Sequence, residues 1–236
     1  MILVLPYLLS ASPVFPVWPT VLAIAFLGGI VLLAEALSRI LISDPEFTRK
    51  VVHIGAGNVI LLAWHFNLPA WIGISAAAIA AAIALLSYFV PILPSINSVG
   101  RQSLGTFFYA VSIGVLISWF FPQQPQYAAI GILTMSWGDG MAALVGQNWG
   151  RHRYRIFGST KSWEGSLTMA IVSYAICCLI LLAVEGNLWS SWFIPLVVAV
   201  LAAGCEAISK LGIDNLTVPI ASGGIPFLLI QLFVAH

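Results

Sequence analysis

The chain has 236 residues, of which 61% are hydrophobic and only 7% charged. Soluble domains carry about a quarter charged residues, so this chain lacks the polar exterior that water demands and a soluble fold is excluded. Nine Lys plus Arg against eight Asp plus Glu leave a net charge of +1, which offers no basic face to nucleic acid.

Residues 1–18 are apolar, have no basic leading stretch and are interrupted by Pro6, Pro13 and Pro16; they read as a membrane-associated lead-in, not a cleaved signal peptide. A membrane-crossing helix needs roughly 20 apolar residues, and about eight such runs follow. They lie at 17–41, 51–66, 70–90, 104–121, 127–145, 165–184, 189–211 and 216–235. All must be helical, because an open sheet would leave backbone groups unsatisfied in hydrocarbon. The expectation is an all-α polytopic bundle forming a single integral membrane domain over 1–236, with 19–236 as the bundle proper. The three cysteines, Cys177, Cys178 and Cys205, lie in apolar runs and imply neither a disulfide framework nor a zinc site.

Loops that stay in the cytoplasm are the ones enriched in Lys and Arg. With the first span running inward, the segments holding Arg39, Arg49 and Lys50, then Arg101, then Arg151, Arg153, Arg155 and Lys161, then Lys210 share one side. The loops at 67–69, 122–126 and 185–188 hold no Lys or Arg. This places both termini outside, in a bacterial inner or thylakoid-type membrane. Glu35, Asp44, Glu46, His53, Asp139, Glu164, Glu206 and Asp214 gather on the cytoplasmic side, and Glu185 falls opposite. Ionisable groups cost several kcal/mol in hydrocarbon, so this gathering marks a polar site sunk into the cytoplasmic leaflet. A transporter would place such groups nearer the midplane.

Four stretches carry the chemistry. Thr48-Arg49-Lys50 precedes His53 and Gly57 on the second span, and Arg49 and His53, four apart, share a face. The plain alternative is a topology-setting basic pair with an interfacial histidine. In Ser136-Trp137-Gly138-Asp139-Gly140, glycines flank a carboxylate that cannot stay ionised there unpaired, which suits a magnesium ligand with phosphates nearby. The alternative is an acid paired to a neighbouring helix. The basic segment 150–164 ends in Lys161-Ser162 at a helix start, a setting for oligophosphate without the spacing of a Walker loop. Arg151, Arg153 and Arg155 read better as headgroup contacts. Glu206, Ser209, Lys210, Gly212, Asp214 and Asn215 close the seventh span and open the eighth, giving a second carboxylate at the depth of Asp139, or else a helix cap. Two carboxylates from different helices can hold Mg²⁺ against substrate phosphates. Glu35 and Arg39 form the simplest ion pair, and His65, His152 and His236 are assigned no role.

Five of these segments, RKVVHIGAG (49–57), RQSLGTFFYAVSIG (101–114), SWGDGMAALVG (136–146), GSTKSWEGS (158–166) and GIDNLTVP (212–219), resemble in this order the membrane-embedded polyprenol kinases, especially phytol kinases of cyanobacteria and plastids. The resemblance spans 35–226. It implies transfer of the γ-phosphoryl group of a nucleoside triphosphate, typically CTP, to a long-chain isoprenoid alcohol such as phytol or geranylgeraniol, with a divalent metal, Mg²⁺. Phytyl phosphate so made enters phytol salvage toward tocopherol. On this reading Asp139, Lys161 and Asp214 are catalytic, Asp139 and Asp214 hold the metal, and Arg49, Lys50, Gly138, Gly140, Lys161 and Asn215 receive the nucleotide. Glu164, Glu206 and His53 are candidate bases. The chain is more distantly similar to phosphatidate cytidylyltransferases, but lacks their Asp-Arg-x-Asp ending and has Gly212-x-Asp214-Asn215 in its place. Cytidylyl transfer stands as the alternative chemistry.

Overall fold

The computed structural model describes residues 16–41, 45–89 and 104–233. The described residues form a helical bundle with one small hairpin. Helix α1 is Val17–Leu41, α2 Pro45–Gly57, α3 Val59–His65, α4 Ala70–Phe89 and α5 Gly105–Phe120. Helix α6, Pro125–Leu133, continues through a π-helical turn, Thr134–Asp139, into α7, Gly140–Trp149. Strands β1 (Arg153–Ile156) and β2 (Ser159–Ser162) follow, then α8 (Trp163–Val184), α9 (Ser190–Ile208) and α10 (Asp214–Phe233).

The all-α membrane bundle is as the composition requires, and the spans number between six and eight. Six helices are long and apolar enough to cross a bilayer, and α5 is a shorter apolar helix. The expected span at 51–66 is divided between α2 and α3 at Asn58. Its side-chain amide donates to the Ile54 carbonyl at 2.7 Å, so a residue that competes for backbone bonds sits where the helix is interrupted. Most of the lead-in lies outside the described residues, and α1 begins within its last two positions.

The segment Pro125–Trp149 is the hub: 67% of the residues in its most apolar stretch are buried, against 6% in that of α1. It packs against α10 through glycines. A Cβ on Gly131 would strike the Pro219 carbonyl, and one on Gly223 would lie 2.7 Å from the Tyr127 carbonyl. Helices in lipid gain no hydrophobic drive from association and rely on such close backbone approach. Tyr127 and Ile130 of the hub form the main core with Leu116, Leu181, Ile194 and Val198. A second cluster, Met135, Ala142, Met169, Ala202 and Val218, lies around the π-turn. The outer surface is apolar, with Ile24, Leu32, Ile79, Leu179 and Val200 exposed, as a lipid-facing surface must be.

The basic segment 150–164, read from sequence as an open loop, contains the hairpin. Its register pairs Arg153 with Ser162 and Ile156 with Ser159, leaving the two-residue turn Phe157-Gly158 at φ values of +47° and +80°. Positive φ at both positions is the primed turn that matches the twist of a ribbon, and glycine accepts it without strain.

Gly131→Leu should abolish recovery of monodisperse protein from detergent, because its side chain meets backbone that cannot move aside. Gly29→Ala, with no neighbour within 4 Å of the added carbon, should behave as the parent on size-exclusion chromatography.

Candidate active site

The charged residues of the sequence motifs meet at one end of the bundle, the end that bears the hairpin. Asp139 closes the π-turn, and its carboxylate is paired with the Lys50 ammonium from α2. Lys50 is only 6% exposed. Neither group could stay ionised alone at that depth, and together each supplies the other's counter-charge. His53, one turn along α2, places Nε2 3.8 Å from the same Asp139 oxygen, which is ionic reach but beyond a hydrogen bond.

The π-turn is fixed from two sides. The Ser136 hydroxyl donates to the Ile132 carbonyl at 2.7 Å, which uses its one proton. Tyr109 therefore donates its own hydroxyl proton to Ser136, at 2.6 Å. The Tyr109 ring packs against the His53 ring with centroids 4.4 Å apart. Gly57 faces Ser136 so closely that any Cβ would overlap the hydroxyl, which explains the glycine that ends the α2 motif. Trp137 Nε1 donates to Asn58 Oδ1 at 3.2 Å and ties the turn to the break between α2 and α3. A π-turn inserts a residue into the helical register and commonly sits at functional positions. Tyr109, Ser136, Asn58 and Trp137 were not singled out from sequence, since each is notable only through a partner remote in the chain.

The second ion pair joins Lys161 of β2 to Glu206 of α9. Burial would lower the Lys161 pKa, but Glu206, with help from Asp214 and Asp139, raises it above the ordinary lysine value. Lys161 is thus an ammonium at any physiological pH. The second oxygen of Glu206, Oε2, is buried without a hydrogen-bond partner, and Glu206 is 6% exposed. Asp214 opens α10; Ser209 Oγ accepts from its backbone N–H at 2.9 Å. Its carboxylate and that of Asp139 feel each other and both lysines electrostatically. Asp139, Lys161, Glu206 and Asp214, from four separate segments, therefore form one charged cluster with Lys50 and His53.

Several expectations change. Gly138 and Gly140 were read as openings for phosphate, but a Cβ on Gly138 would lie 2.7 Å from Met169 Sδ and one on Gly140 would overlap Ile54. They serve close helix packing around Asp139. Lys50, expected to receive the nucleotide, is paired with Asp139, as Lys161 is with Glu206. The Asn215 side-chain amide, expected at the nucleotide, turns back to the Gly212 carbonyl at 3.2 Å and to Asp214 Oδ1 at 3.1 Å, a local bond set at the helix start. Glu164 stands apart from the cluster as a first-turn acid of α8, accepting from the His152 backbone N–H at 3.2 Å and bonded to His152 Nδ1 at 2.7 Å, so it is not placed as a base. His152 accordingly has a partner that the sequence did not reveal. The side chains of Arg49, Arg39 and Glu46, together with Asp44 and Arg101, lie outside the described residues.

The chain shares 54% identity over 209 residues with the phytol kinase of Synechocystis sp., covering 88% of this chain and 90% of that one. The chain belongs to the phytol kinase family. Phytol kinase 1, chloroplastic, of Arabidopsis thaliana is 28% identical over 226 residues, 84% of this chain and 72% of the relative. The CTP-dependent diacylglycerol kinase 1 of Schizosaccharomyces pombe is 29% identical over 136 residues, 53% of this chain and 60% of the relative. No family model matches the chain, and no solved structure matches it with statistical support.

Removing one member of a buried ion pair costs about 3–5 kcal/mol because the other is left uncompensated. Lys50→Met should therefore lower the apparent melting temperature of the detergent-purified protein markedly. Lys50→Met combined with Asp139→Asn should recover much of that loss, and thermal unfolding of the two single variants and the double variant checks it.

Proposed function

We propose that this protein transfers the γ-phosphoryl group of CTP to the hydroxyl of phytol, or of a closely similar isoprenoid alcohol, giving the monophosphate and CDP. The observation that carries the reading is the convergence of Lys161, Glu206, Asp139 and Asp214 at one end of a membrane bundle belonging to the phytol kinase family. The donor follows the relative named as a CTP-dependent lipid kinase. The product is the substrate that phytol salvage toward tocopherol requires.

Phosphoryl transfer demands little covalent work from a protein; it needs aligned groups and neutralised charge. Lys161, on the inner face of the hairpin and paired at rest with Glu206, would take the triphosphate oxygens. Asp139 and Asp214 would hold Mg²⁺, which takes oxygen ligands, keeps several waters and needs only one or two carboxylates beside the phosphates. The cluster fits that demand. Among the described residues no three His, Cys, Asp or Glu side chains enclose a metal by themselves, and the unpartnered Glu206 Oε2 supplies a further oxygen nearby. When bound, the ion would neutralise charge on the phosphates and on the departing diphosphate.

The alcohol oxygen forms its bond to phosphorus as the bond to the CDP oxygen breaks, and the hydroxyl proton leaves. Glu206 and His53 are the cluster's groups able to receive it. The hydrocarbon tail stays in the bilayer against the apolar exterior while the head enters at the cluster. The nucleotide arrives from the cytoplasm, as the distribution of Lys and Arg among the loops supports.

Purified protein given phytol, Mg²⁺ and γ-labelled CTP should yield labelled phytyl phosphate, separable by lipid extraction. Label passing to lipid only from α-labelled CTP, with release of pyrophosphate, would mean cytidylyl transfer instead. Asp139→Asn should lower kcat at least about 100-fold in protein that still elutes as folded; full activity would remove Asp139 from the metal role. Lys161→Met should raise KM for CTP about tenfold or more, and chelation should silence transfer until Mg²⁺ is restored.

A further inference from the structure

The hairpin presents two chemically different faces. Tyr154 is paired with Lys161 and Arg155 with Thr160, so alternation along the strands puts Tyr154, Ile156, Ser159 and Lys161 on one face and Arg153, Arg155, Thr160 and the buried, helix-capping Ser162 on the other. The first face is half-buried against the bundle. There the Tyr154 hydroxyl bonds Ser166 Oγ at 2.6 Å, its ring packs on Trp163 at 5.2 Å, and Lys161 reaches Glu206. On the second face Arg153, Arg155 and Thr160 are all exposed, with Arg151 exposed beside them.

Among the described residues these arginines have no counter-ion. Glu164 is held by His152 and Glu206 by Lys161, and none of the three arginines forms an ion pair among the described residues. Exposed aromatic side chains lie in and next to the hairpin in the chain: Phe157 at its tip is 69% exposed, Trp163 just after β2 66% and Trp149 before β1 67%. Water gives such rings no partner, whereas the layer between headgroups and acyl chains suits an apolar body with a polar edge.

We propose that the outer face of the hairpin is a binding surface for anionic lipid headgroups, with Arg153 and Arg155 taking phosphate oxygens while Phe157 and Trp163 seat in the interfacial layer. A free nucleotide is the competing polyanion, but the guanidinium groups lie on the face opposite Lys161, so a triphosphate gripped by Lys161 lies on the wrong side of the ribbon for them. Because Lys161 belongs to the same two strands, the docked lipid also fixes the ribbon that carries the cluster's cation. The surface rests on the membrane bundle and the hairpin register, not on the kinase reading.

The full-length protein can be placed in nanodiscs of phosphatidylcholine alone or of an equal mixture with phosphatidylglycerol, and amide hydrogen exchange followed across the hairpin. A basic residue at an anionic surface is worth about fivefold in a binding equilibrium, so the mixed discs should slow hairpin exchange by up to roughly thirtyfold. High salt should remove the slowing, and so should the R153Q/R155Q double variant, with exchange in α8 and α9 unchanged. Equal exchange in both discs, or slowing that the double variant retains, overturns the proposal. So does protection that appears in phosphatidylcholine discs on adding CTP and vanishes in the double variant, which would make the arginines nucleotide ligands. Phosphoryl transfer does not enter the readout, so failure of the kinase reading would leave this result standing.

Discussion

A carboxylate inside a membrane-spanning helix must either lose its charge or find a cation, and the arrangement of this bundle follows from how Asp139 finds Lys50. The cation comes from a different helix, so neutralising the acid also brings α2 against the hub segment. Lys161 does the same for Glu206, and in doing so pins the hairpin to α9. Two ion pairs thus join four chain segments at one end of a bundle whose packing is otherwise apolar. Without them that end would hold charges with neither water nor partners.

The π-turn makes the first pair possible. A regular helix through 134–139 would carry the acid on a different heading from the one the wider turn gives it. The turn is held by its own small and polar residues: Ser136 bonds back to Ile132, Tyr109 donates to Ser136, and Gly57 leaves room for both. The stretch richest in glycine is therefore closely confined by its neighbours. Glycine here is a means of bringing Met169 and Ile54 onto the turn, and the rigidity that results is what a site for aligned phosphoryl transfer requires.

Much of the architecture was legible because hydropathy and loop charge act over long windows that single residues cannot disturb. The runs at 165–184 and 189–211 correspond to helices Trp163–Val184 and Ser190–Ile208. Asn58 escaped notice, since one amide in an apolar run changes the mean little yet divides the helix. The hairpin was missed for the opposite reason: four-residue strands are too short to show a period, and Phe157-Gly158 is not the Asn-Gly signal usually sought. At the charged end of the bundle, Asp139, Lys161 and Asp214 could be picked out from cost and context as costly charges. Their partners could not. Glu164 and Glu206 look alike as sequence, and only the fold separates an exposed helix-start acid held by His152 from a buried one held by Lys161. Gly138 reads in sequence as an opening for phosphate, and only the fold reveals that Met169 also packs against it.

A site whose cations already have carboxylate partners behaves differently from an open basic pocket. On the proposed reading a triphosphate must displace Glu206 from Lys161 before it can bind there, and a single weak anion cannot offset breaking a buried pair. A polyanion arriving with its own divalent cation can, because it brings negative charge to Lys161 and positive charge to the carboxylates in one step. The resting pairs keep the charged end of the bundle paired beside the bilayer, and on the proposed reading they would favour a metal-bound oligophosphate over simple anions. On that reading Glu206, released from Lys161 by the same exchange, is the carboxylate whose charge the arriving cation must compensate. That sequence links the electrostatic requirement of membrane burial to the chemistry of transfer through one side chain.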